Sequence, residues 1–215
     1  MGRDVVFDLG GVVFRWEPLV LLQQLFAQRM PDEASARHWA GQIFQTFAPE
    51  ADWALFDLGQ IEPDALAQRI AQRTGLSSQE VRCLIDGIPP HLQPIQGTVD
   101  LIRDLKAAGH RLYFLSNMPA PYAEHLQAVN PFFAQFEQGI FSAHVRQIKP
   151  LPGIFATAQA RWPLRGVPVF IDDVQHNIDA AHRHGWQGIR FETPQQVRAA
   201  LVARQFLSPG ESPAA

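Results

Sequence analysis

Cysteine occurs once in the 215 residues, at Cys83, so the chain can form no internal disulfide and build no thiolate metal cage. Cys83 lies in the helical pattern "EVRCLID", where a small buried core residue is expected. Apolar runs long enough to span a bilayer are missing. No secretory leader is legible in "MGRDVVFD", where an acid interrupts the apolar stretch. Val6 stands where a myristoylation signal carries Ser or Thr. A strong excess of one charge is also lacking. The formal net charge of −3 argues against a nucleic-acid partner, whose phosphates need clustered Lys and Arg. These absences lead us to expect a cytoplasmic monomer or homodimer with no membrane and no nucleic-acid partner. What remains is ordinary globular material, 47% hydrophobic and 18% charged. That is enough for one large domain, or for a core domain with an insert.

Short apolar runs alternate with helical patterns. The runs are "DVVFDLG" (4–10), "HRLYFLSN" (110–117), "GIFSA" (139–143), "VPVFIDD" (167–173) and "QGIRFET" (187–193). Between them lie segments such as "GTVDLIRDLKAAGH" and "QHNIDAAHRHG", with apolar residues at helical spacing. Strand–helix alternation with short links predicts an α/β fold with a doubly wound parallel sheet and helices on both faces. Residues 15–92 break the alternation with four helical patterns, "PLVLLQQLFAQRM", "DEASARHWAGQIFQTF", "EPDALAQRIAQRTG" and "SSQEVRCLIDG". They predict an all-helical cap inserted after the first strand, leaving by a Pro-rich linker, "GIPPHLQPIQG". The expected division is a core of 1–14 and 93–207, a cap of 15–92, and a frayed tail of 208–215.

In an open α/β sheet, ligands bind beyond the carboxyl ends of the strands. The residues there are Asp8, Leu9, Gly10 and Gly11 after the first run, Ser116 and Asn117 after the second, Lys149 past the third, and Asp172 and Asp173 after the fourth. None is needed to build a sheet. Each alone has a plain structural reading, as a turn, a helix cap or a loop. Acids converging from two strand ends suit a hard cation such as Mg²⁺, which takes oxygen ligands. Lys149 adds a fixed positive charge and Ser116 a donor for an anionic oxygen. The set suits phosphoryl chemistry.

Four motifs in this order, "FDLGG" (7–11), "LSN" (115–117), Lys149 in "IKP" and "FIDDVQHN" (170–177), resemble those of the haloacid dehalogenase-like (HAD) hydrolase superfamily. The likeness runs from residue 4 to about 200. The helical insert resembles the family's first-position (C1-type) cap. The resemblance implies a Rossmann-like core and a hydrolase. Asp8 would be the catalytic nucleophile, forming an aspartyl-phosphate. Asp8, Asp172, Asp173 and the backbone carbonyl of Gly10 would be the metal ligands. Ser116, Asn117 and Lys149 would bind phosphoryl oxygens, with Ser116 and Lys149 also in the catalytic set.

The chain departs from the family's Asp-x-Asp pattern at Gly10, where the acid–base residue usually stands. General acid–base help is worth about 10²–10⁴-fold. Three outcomes fit: a Mg-dependent phosphatase of small phosphorylated metabolites, sugar phosphates first; a metal-free 2-haloacid dehalogenase using Asp8; or an inactive binding module. The acid pair Asp172–Asp173 favours the phosphatase, because three carboxylates together repel unless a cation lies between them. Arg15 and Trp16, just past the first motif, are candidate substrate contacts. Trp39, Trp53 and Phe56 are core or pocket residues. His176, His182 and His184 are surface or helix-end residues, since their spacing is not that of a metal pair on one helix face.

Overall fold

The computed structural model describes residues 2–45, 48 and 50–208; the expected tail lies, from residue 209 on, outside the described residues. Five strands, β1 (Asp4–Phe7), β2 (Arg111–Ser116), β3 (Gln138–Phe141), β4 (Val169–Asp172) and β5 (Gln187–Arg190), form one parallel sheet in the order β3-β2-β1-β4-β5. Alternation along the central strands sorts side chains to the two faces. Val5, Phe7, Leu112, Phe114, Val169 and Ile171 join one buried cluster. Val6, Tyr113, Leu115 and Phe170 join the other. Helices α6 (Gln96–Ala107) and α11 (Pro194–Ala203) cover the first face through Leu101, Leu105, Val197 and Leu201. Helices α9 (Pro152–Arg161) and α10 (Gln175–Arg183) cover the second through Ile154, Phe155, Ile178 and Ala181. Helix α7 (Ala120–Val129) follows β2 and the short α8 (Ser142–Val145) follows β3. The strands are shorter than the apolar runs. β1 ends at Phe7 and β4 at Asp172, so Asp8 and Asp173 each begin a loop.

Helices α1 (Pro18–Leu25), α2 (Glu33–Phe44), α3 (Asp52–Asp57), α4 (Pro63–Thr74) and α5 (Ser78–His91) intervene between β1 and α6. The local signals are clear. Asp32 caps α2 and Ser77 caps α5, each with a reciprocal partner three residues on. Pro63 opens α4, and Gly75 closes it in the left-handed conformation. The four helical patterns account for α1, α2, α4 and α5. The fifth helix, α3, is six residues long and too short to show a period.

Two sequence expectations are corrected. Cys83 is exposed rather than a core residue. The buried face of α5 is Val81, Leu84, Ile85 and Ile88, and Cys83 falls off that stripe. The Pro-rich stretch is not a free linker either, since α5 continues through Pro89 and Pro90 to His91. Pro89 cannot donate to the carbonyl of Ile85, four residues back. That carbonyl instead accepts from Tyr122 Oη at 2.7 Å. The helix survives because α7 supplies the missing donor.

The strands that enter and leave the helical segment are tied together. Arg15 N donates to Gln93 O and Ile95 N to Val13 O, both at 2.8 Å. Among the described residues no helix is long and apolar enough to cross a membrane.

Candidate active site

β1 sits at the centre of the sheet. The chain leaves it toward β2 and β3 on one side, then returns to β4 and β5 on the other. The switch point therefore lies at the carboxyl end of β1, between β2 and β4, where a crevice must open. Asp8, Ser116 and Asp173 line that crevice. Asp8 N donates to Ile171 O at 2.8 Å, locking the loop after β1 to β4.

Lys149 Nζ lies 2.9 Å from Asp8 Oδ1 and 2.7 Å from Asp172 Oδ2. Its side chain is 1% exposed, so this ammonium is held wholly by the two acids. Burial alone would push Lys149 down, but the charges of Asp172 and Asp8 hold it above its usual value. The backbone of Lys149 is fixed by Asn117, whose Oδ1 accepts from Lys149 N at 2.8 Å and whose Nδ2 donates to Lys149 O at 3.0 Å. The Asn117 side chain is thus spent on positioning Lys149. Asp172 accepts from Val174 N at 2.8 Å, and both its oxygens accept from Asn177 Nδ2 at 3.0 Å. Asp8 Oδ1 also accepts from Leu9 N at 2.7 Å.

Three carboxylates share this one ammonium. Asp8 is raised to about 8, first by burial and then by the charges of Asp172 and Asp173, with Lys149 opposing. Asp173 is raised by burial and by Asp172. Ligand oxygens from Asp8, Asp172 and Asp173 lie within 4.8 Å of one another. Oxygen donors with uncompensated negative charge are what a divalent hard cation needs, so the residues fit Mg²⁺.

The two glycines of the first motif differ. Gly11 has φ +75°, and a Cβ there would lie 2.5 Å from Asp173 Oδ2, so Gly11 lets the acid pair approach the turn. Gly10 has no such constraint, and a Cβ would meet nothing within 4 Å. It lines the crevice with an open side.

Above the charged cluster lies a cavity of about 440 Å³. Its upper wall is apolar and includes Trp16, Trp53, Ile88, Leu92, Tyr122 and Ile148. Trp16 therefore meets the crevice, whereas Arg15 is exposed and lines none of it. Phe56 belongs to the packed interior, Trp39 packs half-buried against it, and neither lines the cavity. His176 stands at its mouth, exposed. His184 stacks on Phe155 on the far side of the sheet.

No family model matches the chain. In sequence it is 26% identical to the sesquiterpene phosphatase astK of Aspergillus oryzae over 189 residues, covering 87% of this chain and 88% of that one. In structure it resembles a HAD-family enzyme of Bacteroides thetaiotaomicron solved with magnesium and inorganic phosphate (TM-score 0.65, 18% identity, 89% of this chain and 95% of that one). It also resembles the L-2-haloacid dehalogenase of Xanthobacter autotrophicus with chloropropionic acid covalently bound (TM-score 0.63, 16% identity, 94% and 83%). The fold is that of the HAD-like hydrolases.

Within this HAD-like fold the sequence motifs meet at one sheet edge. Sequence reasoning passed over Asp57, a buried acid of α3 that lines the same cavity. A signal for it exists. In "DWALFDLG" Asp57 stands four residues after Trp53, on one face of a helix that is otherwise apolar there. It also passed over Ser142, whose Oγ donates to Asp57 O at 2.5 Å and accepts from Met118 N at 2.8 Å. That contact joins α3 to the start of α8, far apart in sequence, and no local pattern announces it.

Proposed function

We propose that this chain is a Mg²⁺-dependent phosphatase acting through Asp8, on the phosphate ester of a small, largely apolar alcohol. The observation that carries the reading is the cluster itself: one buried ammonium, Lys149, between Asp8 and Asp172, with Asp173 beside them. A halide-displacing site needs only one anion. A third carboxylate there would be an unrewarded repulsion.

In this reading Asp8 attacks phosphorus and becomes an aspartyl-phosphate, which water then hydrolyses. Lys149, fixed by Asn117 and by both acids, offsets the repulsion between the Asp8 carboxylate and the incoming dianion. Ser116 and the backbone after β2 receive phosphoryl oxygens. Asp8, Asp172, Asp173 and the carbonyl of Gly10 would hold Mg²⁺, which supplies charge stabilisation to the transferring phosphoryl group. The insert α1–α5 acts as the cap that excludes water, hinged where 13–15 pair with 93–95.

The apolar upper wall argues for a hydrocarbon rather than a sugar on the other side of the ester. Each sugar hydroxyl buried there without a partner would cost about 1–3 kcal/mol. An apolar chain gains about 25 cal/mol per Å² buried. The relative that acts as a sesquiterpene phosphatase supports the same direction.

The test is a panel of prenyl, alkyl and sugar monophosphates, assayed with Mg²⁺ and with excess EDTA, with 2-chloropropionate alongside. Mg²⁺-dependent phosphate release, best from the apolar esters, is expected. Chloride release in EDTA without phosphatase activity would transfer the site to the dehalogenase reading.

A further inference from the structure

We propose that Asp57 is the general acid of this site, reaching from the helical insert to protonate the leaving oxygen in place of the acid that Gly10 lacks. The inference rests on the phosphatase reading and adds a residue to it.

Asp57 closes α3 and is 7% exposed. Its carboxyl group makes no hydrogen bond and no ion pair among the described residues, yet it lines the cavity that Asp8, Ser116 and Lys149 floor. A buried, unpartnered carboxyl is costly, and nothing in the packing of α3 requires one. Its position is fixed from the core side. The Ser142 hydroxyl holds the Asp57 carbonyl, and the following turn packs Gly59 against Ala143 so closely that a Cβ would lie 3.1 Å from Ala143 O. The acid is thus placed over the strand ends by direct contact with α8, which follows β3.

Burial raises the Asp57 carboxyl to about 8, with Lys149 opposing, so at neutral pH it carries a proton to give. Lys149 is beyond ion-pair distance but its charge reaches both Asp57 and Asp8, as expected if the three surround one bound phosphate. The other ionisable groups on this cavity are Tyr122, Asp173 and His176. On the outer side of α3, Arg69 and Arg73 are taken by Asp52, and His144 of α8 packs on Phe141.

The step balances. Asp8 oxygen bonds phosphorus as the bond from phosphorus to the leaving oxygen breaks. The Asp57 proton passes to that oxygen, releasing the alcohol and leaving a carboxylate. The carboxylate then takes a proton from the water that attacks the aspartyl-phosphate, releasing phosphate and restoring the acid.

The test compares wild type, Asp57→Asn and Asp57→Glu on 4-nitrophenyl phosphate and on an alkyl monophosphate. The nitrophenolate leaves without help, so kcat/KM, which reads only the steps through phosphorylation of Asp8, should stay within a few-fold of wild type for Asp57→Asn on that ester and fall on the order of 10²-fold or more on the alkyl ester, while kcat, which includes hydrolysis of the aspartyl-phosphate, should fall on both. Asp57→Glu, which keeps a proton donor, should recover much of the alkyl activity. For wild type, kcat/KM on the alkyl ester should fall as pH rises through about 8, because the acid must be protonated, and Asp57→Asn should lack that limb. Equal losses in kcat/KM of Asp57→Asn on both esters, in a variant folded by circular dichroism, would overturn the inference. A wild type that cleaves neither ester would instead overturn the phosphatase reading on which it rests.

Discussion

The floor and the roof of the cavity are built on opposite principles. The floor is polar and covered with partners: Asp8 and Asp172 each bond Lys149, and Asn117, Asn177 and Val174 hold them in turn. The roof is apolar, made of Trp53, Ile88 and Leu92 from the insert, with one buried acid that has no partner among the described residues. The floor hangs from the ends of adjacent strands, whose register is fixed by the sheet. The roof hangs from helices whose attachment is side-chain packing, the Ser142 bond and the paired connectors. A charged cluster needs rigid placement to be stabilised. A wall that selects an alcohol by shape needs only area. Under the proposed reading, the phosphoryl step belongs to the core and the choice of leaving group to the insert.

Removing the floor's cation should have the largest effect on stability. Lys149→Met leaves Asp8 and Asp172 facing without compensation, and breaking such a buried pair costs about 3–5 kcal/mol. Urea unfolding at neutral pH measures it. A loss under 1 kcal/mol would mean the acids are not held by this ammonium.

The seam between floor and roof should come next. Tyr122→Phe strips the donor from Ile85 O, in the turn where Pro89 supplies none, and should cost about 1–3 kcal/mol. An unchanged midpoint would show that water or a shifted helix end satisfies the carbonyl.

The two glycines of the first motif separate backbone need from side-chain absence. Gly11→Ala must adopt φ +75° and displace Asp173, and should cost about 1–2 kcal/mol together with most Mg²⁺-dependent activity. Gly10→Ala meets open space and should be stable within about 0.5 kcal/mol. Thermal unfolding of the pair, with Mg²⁺ titration of each, checks the ordering. Equal effects at both positions would erase the distinction.

The same contrast explains how much the sequence disclosed. Asp8, Ser116, Asp172 and Asp173 stand at the ends of apolar runs, so the ends of the runs alone point to them, whereas Lys149 and Asn177 lie farther along the chain. Alternation and the handedness of crossovers point to a doubly wound parallel sheet, whereas the order β3-β2-β1-β4-β5 is seen only in the structure. The roof was legible only as helices. Asp57 shows only as an acid four residues after Trp53, and its meaning depends on a cavity formed with residues as distant in sequence as Asn177. Arg15 and Trp16 are neighbours in sequence, yet the connector turns one outward and the other inward. Pro89 and Pro90 read as a linker because the donor that rescues α5 comes from α7, which no local pattern can show.

The central claim is that Asp8 is phosphorylated during turnover. Wild type and Asp8→Asn, both folded by circular dichroism, should be mixed with a radiolabelled apolar phosphate ester and Mg²⁺, quenched in acid within one turnover, and digested. The account predicts label on the wild-type peptide carrying Asp8, none in EDTA, and no turnover by Asp8→Asn. Phosphate release by Asp8→Asn at a near wild-type rate would contradict it.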